Sequence, residues 1–516
     1  MGCIRKIILC CLLLAFVNGA KILVYCPSIG KSHVLLCAKH ADLLHNAQHD
    51  TVLFIPSYTS QLDDFDGAKH AKVWRLQNIS SGHEGLRKTI SNVLENSHLG
   101  FFDRLDFEYR WIPMCREMAK QRERLQHLID YQFDMAIVED IDYCNFAVVR
   151  SLGIKNIALL SSEPLMDKIA WDLGIPAPAS YVPSIEENPR HDRMGIYDRM
   201  VNMYKYAQAI VVHHMVNKWV VDIFREIVDP NFPSVIELVR NVSIVFVNTN
   251  EMFDIARPIS PKIVYVGMLQ DSHENATLIS ELESVFDKGN NGSIFVSFGT
   301  IAPFHIIPHR IKTSLYNAIQ KLQNYHFVLR VAENDLKSRT MFGVLKNVDF
   351  VDWVPQNAVL KHPNLKLFVS HGGMNSVLES MSYGVPMVIM PVFSDQFKNA
   401  KTVERRGAGK MIPREEIVMA TFYNEISSVL NNSEYKENAR RIAKLIETRP
   451  FSSNERVLKW IDFVLKYYPI DLDLQSNNFN LISYFHFDIV IFIFILFSFV
   501  IGSFLYHNVH IKIEKQ

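Results

Sequence analysis

Two successive β-α series, separated by a polar, proline-containing segment and framed by an apolar stretch at each end, predict an α/β protein. It should consist of two Rossmann-like domains facing a cleft, followed by a C-terminal transmembrane helix. At 516 residues the chain is long enough for two domains with full cores. Its 54 Lys and Arg balance 54 Asp and Glu, which removes the electrostatic footprint of a general nucleic-acid binder. Hydrophobic content of 48% with 21% charged residues excludes a largely disordered chain. No self-similarity of solenoid period is present.

The first element is a leader. Arg5 and Lys6 precede an apolar stretch from Ile7 to Val17, and small residues follow at Gly19 and Ala20. That order predicts a secretory signal peptide over 1–20, too short to span a bilayer. Lys21–Cys26 then reads as a strand stopped by Pro27, His33 to Gln48 carries helical periodicity, and Thr51–Ile55 is a second strand. A β-α-β opening predicts a parallel sheet with buried strands. Met135–Glu139, Asn156–Leu160 and Ser243–Asn248 continue the series, giving an N-terminal domain over 21–255. Pro258, Pro261 and the polar segment Gln270–Asn291 mark a linker over 256–292. A second series follows, with strands at Ser293–Phe298, His326–Arg330, Asp349–Val351, Leu367–Ser370 and Met387–Met390, in a C-terminal domain over 293–470.

The uncharged run Ile489–Tyr506 is roughly 27 Å long as a helix, close to the hydrocarbon thickness. Asp471, Asp473 and Asp488 precede it and Lys512 and Lys515 follow it, which puts the tail 507–516 in the cytosol. Leader plus late anchor gives a single-pass type I membrane protein with a lumenal body. The sequons at Asn78, Asn241, Asn275, Asn291 and Asn431 accord with that side and with a glycoprotein. Of the seven cysteines, the four beyond the leader, Cys26, Cys37, Cys115 and Cys144, form no C-x-x-C pair. Small buried hydrophobes are the expected role for them, with a disulfide open in an oxidising compartment.

The densest signal is Asp352–Ala408. Leu367–Ser370 is a strand, His371-Gly372-Gly373 a tight turn, and a helix begins near Asn375. Glycines at such a turn let backbone N–H groups approach a phosphate, and the helix N-terminus favours its charge. Asn375, Glu379 and Tyr383 share one helix face, so a carboxylate one turn down can accept ribose hydroxyls. Trp353 can stack on a base and Gln356 can read its edge. Asp395 and Gln396, after the next strand, suit sugar hydroxyls.

This ordered run resembles the donor-binding signature of the UDP-glycosyltransferases, specifically the membrane-bound UDP-glucuronosyltransferases of animals. The residues carrying it are Trp353, Pro355, Gln356, His362-Pro363, Ser370-His371, Gly373, Glu379, Gly384-Val385-Pro386, Asp395-Gln396 and Asn399-Ala400. More loosely, Ser297-Phe-Gly299-Thr300 resembles the motif at the family's first donor-domain strand. The resemblance implies a GT-B fold and an inverting, metal-independent hexosyl transfer without a cofactor, from a UDP-sugar to a hydroxyl or similar nucleophile on a small lipophilic acceptor. It places Trp353 and Gln356 at uracil and Glu379 at ribose. It places Ser297, Thr300, Ser370, His371, Gly373 and Asn375 at the diphosphate, and Asp395 and Gln396 at the transferred sugar. It also implies a detoxifying role and residence in the endoplasmic reticulum, although the tail's lysine spacing departs from the family's retrieval signal. Homo-oligomerisation stays open.

The family's base is a His after the first strand, which here is His33 in Gly30-Lys-Ser-His33. A helix N-terminus disfavours imidazolium, so His33 is expected to stay neutral. Counting from Phe133 places Glu139 where the family has an Asp, with Asp140 beside it as the alternative partner. Two competing readings follow: a D-x-D metal site at Asp140 and Asp142, and a binding protein that keeps the donor pocket without turnover. Acceptor choice should lie in Ser57–Gln132 and Pro164–Lys218, with aromatics such as Phe101, Phe102, Tyr109 and Trp111.

Overall fold

The structure is a computed structural model that describes residues 19–59, 62–79, 100–141, 143–269, 278, 280–300, 302–478 and 480–514. The leader up to residue 18, Asp142 of the D-x-D triplet and the sequon Asn275 lie outside the described residues.

Among the described residues thirteen strands form two wholly parallel sheets. The first contains β1 (Lys21–Tyr25), β2 (Asp50–Pro56), β3 (Lys72–Leu76), β4 (Met135–Glu139), β5 (Ile157–Ser161), β6 (Ile244–Val247) and β7 (Ile263–Tyr265), in the order 3-2-1-4-5-6-7. The second contains β8 (Ser293–Ser297), β9 (His326–Arg330), β10 (Val348–Val351), β11 (Leu365–Ser370), β12 (Met387–Ile389) and β13 (Gly409–Met411), in the order 10-9-8-11-12-13. Each order reverses once, at β1/β4 and at β8/β11. Neighbouring connections diverge at such points and leave a crevice beyond the strand ends.

The apolar runs are continuous rather than alternating because helices cover both faces of each sheet. Ile22, Leu23, Val24 and Tyr25 of β1 are all completely buried. Leu23 and Tyr25 face one core of the first sheet and Ile22 and Val24 the other. Each such side chain contributes about 1.5–3 kcal/mol by leaving water.

The helices that position the site are α1 (Lys31–Asn46), α2 (Phe101–Tyr109), α3 (Ile196–Ile227), α4 (Met374–Ser382), α5 (Gln396–Arg405) and α6 (Ser453–Tyr467). A final helix, α7 (Phe487–Glu514), contains the span Phe487–His507, with mean hydropathy 2.7 and none of its most apolar window buried. It is long and apolar enough to cross a bilayer.

Two sequence expectations need correction. The segment expected as a linker contains β7, which pairs with β6 as the last strand of the first sheet. Helix α6 lies in the stretch assigned to the second domain, yet Val457, Ile461 and Val464 are buried in the first sheet's core. The chain thus returns to its first half before reaching α7. Four cysteines also form disulfides, Cys26–Cys37 and Cys115–Cys144, so they are cross-links as well as buried apolar groups.

Candidate active site

The site begins at the β1/β4 reversal. The chain leaves β1 and turns through Gly30, the N-cap of α1, which puts His33 in the first helical turn. Glu139 is the last residue of β4, whose register pairs Val138 with Tyr25. His33 Nδ1 lies 2.8 Å from Glu139 Oε1, and Glu139 is fully buried. Ser162 donates its hydroxyl to the same Oε1 at 2.8 Å and sits 3.1 Å from His33 Nδ1. The Ile141 N–H donates to Glu139 Oε2 at 3.3 Å. With Nδ1 engaged, Nε2 is the ring nitrogen left for a ligand.

Asp140 lines the same cavity but has other partners. Its Oδ2 accepts from the Ser161 hydroxyl at 3.2 Å, while Lys168 donates to its carbonyl at 2.8 Å. Alternation at a strand end lets only one of two consecutive carboxylates face His33. Burial pushes the Asp140 carboxyl up to about 6, offset in part by Lys168. For His33, burial favours the neutral ring, but the charge and hydrogen bond of Glu139, helped by Asp140 and Asp395, hold its pKa above the ordinary value. The shift runs against the direction expected from the helix N-terminus: a carboxylate at hydrogen-bond distance outweighs a partial helix charge.

The β8/β11 reversal supplies the other wall. Ser297 ends β8 and Ser370 ends β11, and both are buried. Ser370 Oγ accepts from Gly372 N–H at 3.3 Å. His371 follows, with Gly373 as the N-cap of α4. A Cβ on Gly299 would lie 2.5 Å from His371 Cε1, and one on Gly373 would lie 2.7 Å from His371 Nε2. Only glycines allow the ring to sit between the two turns. Burial, with Arg330 adding, lowers the His371 pKa to about 4, so the ring is neutral and keeps one N–H to donate.

Further along α4, Gln356 Nε2 donates to Glu379 Oε2 at 2.6 Å and to Ser376 Oγ at 3.1 Å. Gln356 thus holds the carboxylate expected at ribose. Trp353 is 53% exposed, and its ring lies near Arg330 at 4.6 Å and Lys31 at 5.1 Å. Asp395 directly precedes α5 and its carboxylate accepts from Asn399 Nδ2 at 2.6 Å, while burial pushes the carboxyl up to about 6. Gln396 Oε1 accepts from the Val392 N–H at 2.8 Å, so its amide N–H groups are the end left for a ligand.

These walls enclose one cavity of about 470 Å³. Every expected site residue lines it except Glu139, Ser297 and Ser370, which stand just behind it. Of the four aromatics singled out for the acceptor, Trp111 lines the cavity; Phe102 and Tyr109 are 80% and 50% exposed elsewhere. The sequence reading missed Ser162, Asn248, Arg104, Glu163 and Arg330, all on the cavity wall. Burial, reinforced by Asp395 and Asp140, holds Glu163 well above the ordinary carboxyl range. Their available signal was position: Ser162 and Asn248 directly follow β5 and β6, at the carboxyl ends where parallel sheets bind ligands. Among the described residues no three His, Cys, Asp or Glu side chains are grouped as metal ligands.

A family model described as UDP-glucoronosyl and UDP-glucosyl transferase matches residues 22–515. The Caenorhabditis elegans protein named as UDP-glucuronosyltransferase ugt-50 is 56% identical over 483 residues, covering 93% of this chain and 92% of its own. Human UDP-glucuronosyltransferase 3A2 is 28% identical over 465 residues, covering 87% and 85%. Two solved structures share the GT-B arrangement. One is a UDP-glucose:anthocyanidin 3-O-glucosyltransferase in complex with UDP, with TM-score 0.59 and 16% identity over 87% of this chain and 100% of that one. The other is the glycotransferase of kitacinnamycin, with TM-score 0.58 and 15% identity over 87% and 99%.

Proposed function

The chain belongs to the UDP-glucuronosyl and UDP-glucosyl transferase family and is a glycosyltransferase with a UDP-sugar donor; from that premise we propose that it glycosylates small lipophilic acceptors with inversion, His33 acting as general base. Its central support is the His33–Glu139 contact at 2.8 Å, which faces the α4 N-terminus across one cavity.

The acceptor hydroxyl binds between the apolar Trp111 side and His33. Its oxygen attacks the anomeric carbon on the face opposite the diphosphate. The new C–O bond forms as the bond to UDP breaks, and the hydroxyl proton passes to His33 Nε2. An α-linked donor therefore gives a β-glycoside. Glu139 holds the ring by Nδ1 and stabilises the imidazolium as it forms. The leaving diphosphate gathers negative charge, which the N–H groups opening α4 and the His371, Thr300 and Asn375 side chains can receive, with Ser297 and Ser370 supporting the two turns from behind. Trp353 stacks on uracil, Glu379 takes the ribose hydroxyls, and Asp395 with the Gln396 amide holds the sugar. No metal is required, since the neutralising donors come from the chain; activity lost to a chelator would contradict this.

Placement in the endoplasmic-reticulum lumen, anchored by α7, accords with the two disulfides and with the exposed sequon residues Asn78, Asn241, Asn291 and Asn431. Detoxification of lipophilic compounds is the corresponding role. The deciding experiment measures UDP release by the membrane-bound enzyme with UDP-glucose and with UDP-glucuronate, each against a pool of phenols. Acceptor-dependent release with either donor supports transfer. UDP binding without release with every acceptor identifies a binding protein instead.

A further inference from the structure

Asn248 directly follows β6 in the first sheet, yet it reaches across the cleft to the second domain. It is 2% exposed, and its Nδ2 donates twice: to the Ser162 backbone carbonyl at 3.0 Å and to Asn375 Oδ1 at 2.7 Å. The two ends of these amides are not interchangeable. A carbonyl only accepts, so Asn248 must present its NH₂ to Ser162. The second hydrogen of that NH₂ then requires an acceptor, and Asn375 must answer with its oxygen. This leaves the Asn375 NH₂ as the end free to meet a ligand in the cavity that Asn375 lines. An unrestrained asparagine in the first turn of α4 could turn its oxygen toward a phosphate, which repels it.

We propose that Asn248 is a positioning residue of the donor site, a first-domain side chain that fixes Asn375 with its amide donors presented to the diphosphate. The inference rests on the reading of Asn375 as a diphosphate contact. The same connection runs on to the base. Asn248 bonds the Ser162 carbonyl, the Ser162 hydroxyl bonds Glu139, and Glu139 bonds His33. One hydrogen-bonded chain therefore links the leaving-group end of the cavity to the proton acceptor across the two domains.

The test uses the full-length protein in detergent and compares affinity for UDP with affinity for uridine, which lacks the diphosphate. Asn248→Ala should weaken UDP binding about 3- to 10-fold and leave uridine binding unchanged. In an Asn375→Ala background the same substitution should cost nothing more, because the side chain it orients is gone. Asn248→Asp keeps the size but cannot donate to Ser162, so it should weaken UDP binding more than Ala does. Loss of packing alone would give the reverse order. If the buried Asp prevents folding, the UDP/uridine comparison on Asn248→Ala and the double variant still decides the matter. Equal weakening of UDP and uridine, or additive losses in the double variant, would overturn the positioning role. Unchanged UDP affinity in Asn375→Ala would overturn the donor-site reading of Asn375 as well. Weakening in Asn375→Ala with none in Asn248→Ala would overturn this inference alone.

Discussion

His33 is held between two opposing effects. Burial favours its neutral form, while the Glu139 carboxylate favours the charged form and prevails. A base whose pKa is raised must lose its proton before it can accept one. Turnover should therefore climb with pH through a value above the ordinary 6.5 of histidine. Glu139→Gln keeps the shape and removes the charge. Burial then dominates, so the acidic limb of the pH–rate profile should move to lower pH, while turnover falls on the order of 10²-fold. A profile that stays in place would remove Glu139 from the mechanism. The stability sign is opposite in pH: the raised His33 pKa contributes stability present below the unfolded value and lost as pH rises through the folded one. Glu139→Gln should consequently cost more stability at pH 5 than at pH 8. Asp140→Asn should alter the profile much less, because its carboxyl meets Ser161 rather than His33. Glu139 was reached through the family resemblance, by counting from Phe133 to the position of the family's Asp, with Asp140 left beside it as the alternative. Ser162 and Asn248 were not, because their partners lie 23 and 127 residues away in sequence.

At the scale of elements, the two strand-to-helix turns after β8 and β11 close on one imidazole. Gly299 has φ +76°, and any side chain there meets His371. Gly299→Ala combines a strained backbone with displacement of the ring, each worth roughly 1–3 kcal/mol, so UDP binding should weaken about tenfold or more. Calorimetric titration with UDP checks this, and an unchanged affinity would show that His371 does not need its place. The long apolar strands were readable because burial on both faces makes them continuous hydrophobic runs. Lys72–Leu76, Ile263–Tyr265 and Gly409–Met411 escaped notice for the converse reason. All three are edge strands, Ile263–Tyr265 and Gly409–Met411 are only three residues long, and in KVWRL and GKM charged or small residues interrupt the apolar pattern. Such segments become strands because a neighbour is already in place, which is tertiary information. The disulfides were illegible for a similar reason, since cysteine spacing alone does not fix pairing.

The whole molecule is two sheets whose reversal points face each other, tied by contacts on either side of the cavity. Lys398 of α5 pairs with Asp254 in a buried contact, Arg405 pairs with Asp192 at 2.8 Å, and α6 packs into the first sheet's core. These ties keep His33 and the turn before α4 on opposite walls of one space. The most apolar window of helix α7 is not buried against that body. Ending the chain after His486 should therefore yield an extractable protein with its UDP affinity intact; continued resistance to alkaline extraction would reveal a second membrane element. The central claim, that a base on the first sheet activates an acceptor while the second sheet holds the donor, is tested most directly by His33→Ala. UDP affinity and sugar transfer to a phenol are measured on the same preparation. Affinity should stay within about twofold of wild type while transfer falls roughly 10²–10⁴-fold. Transfer at the wild-type rate would contradict the claim.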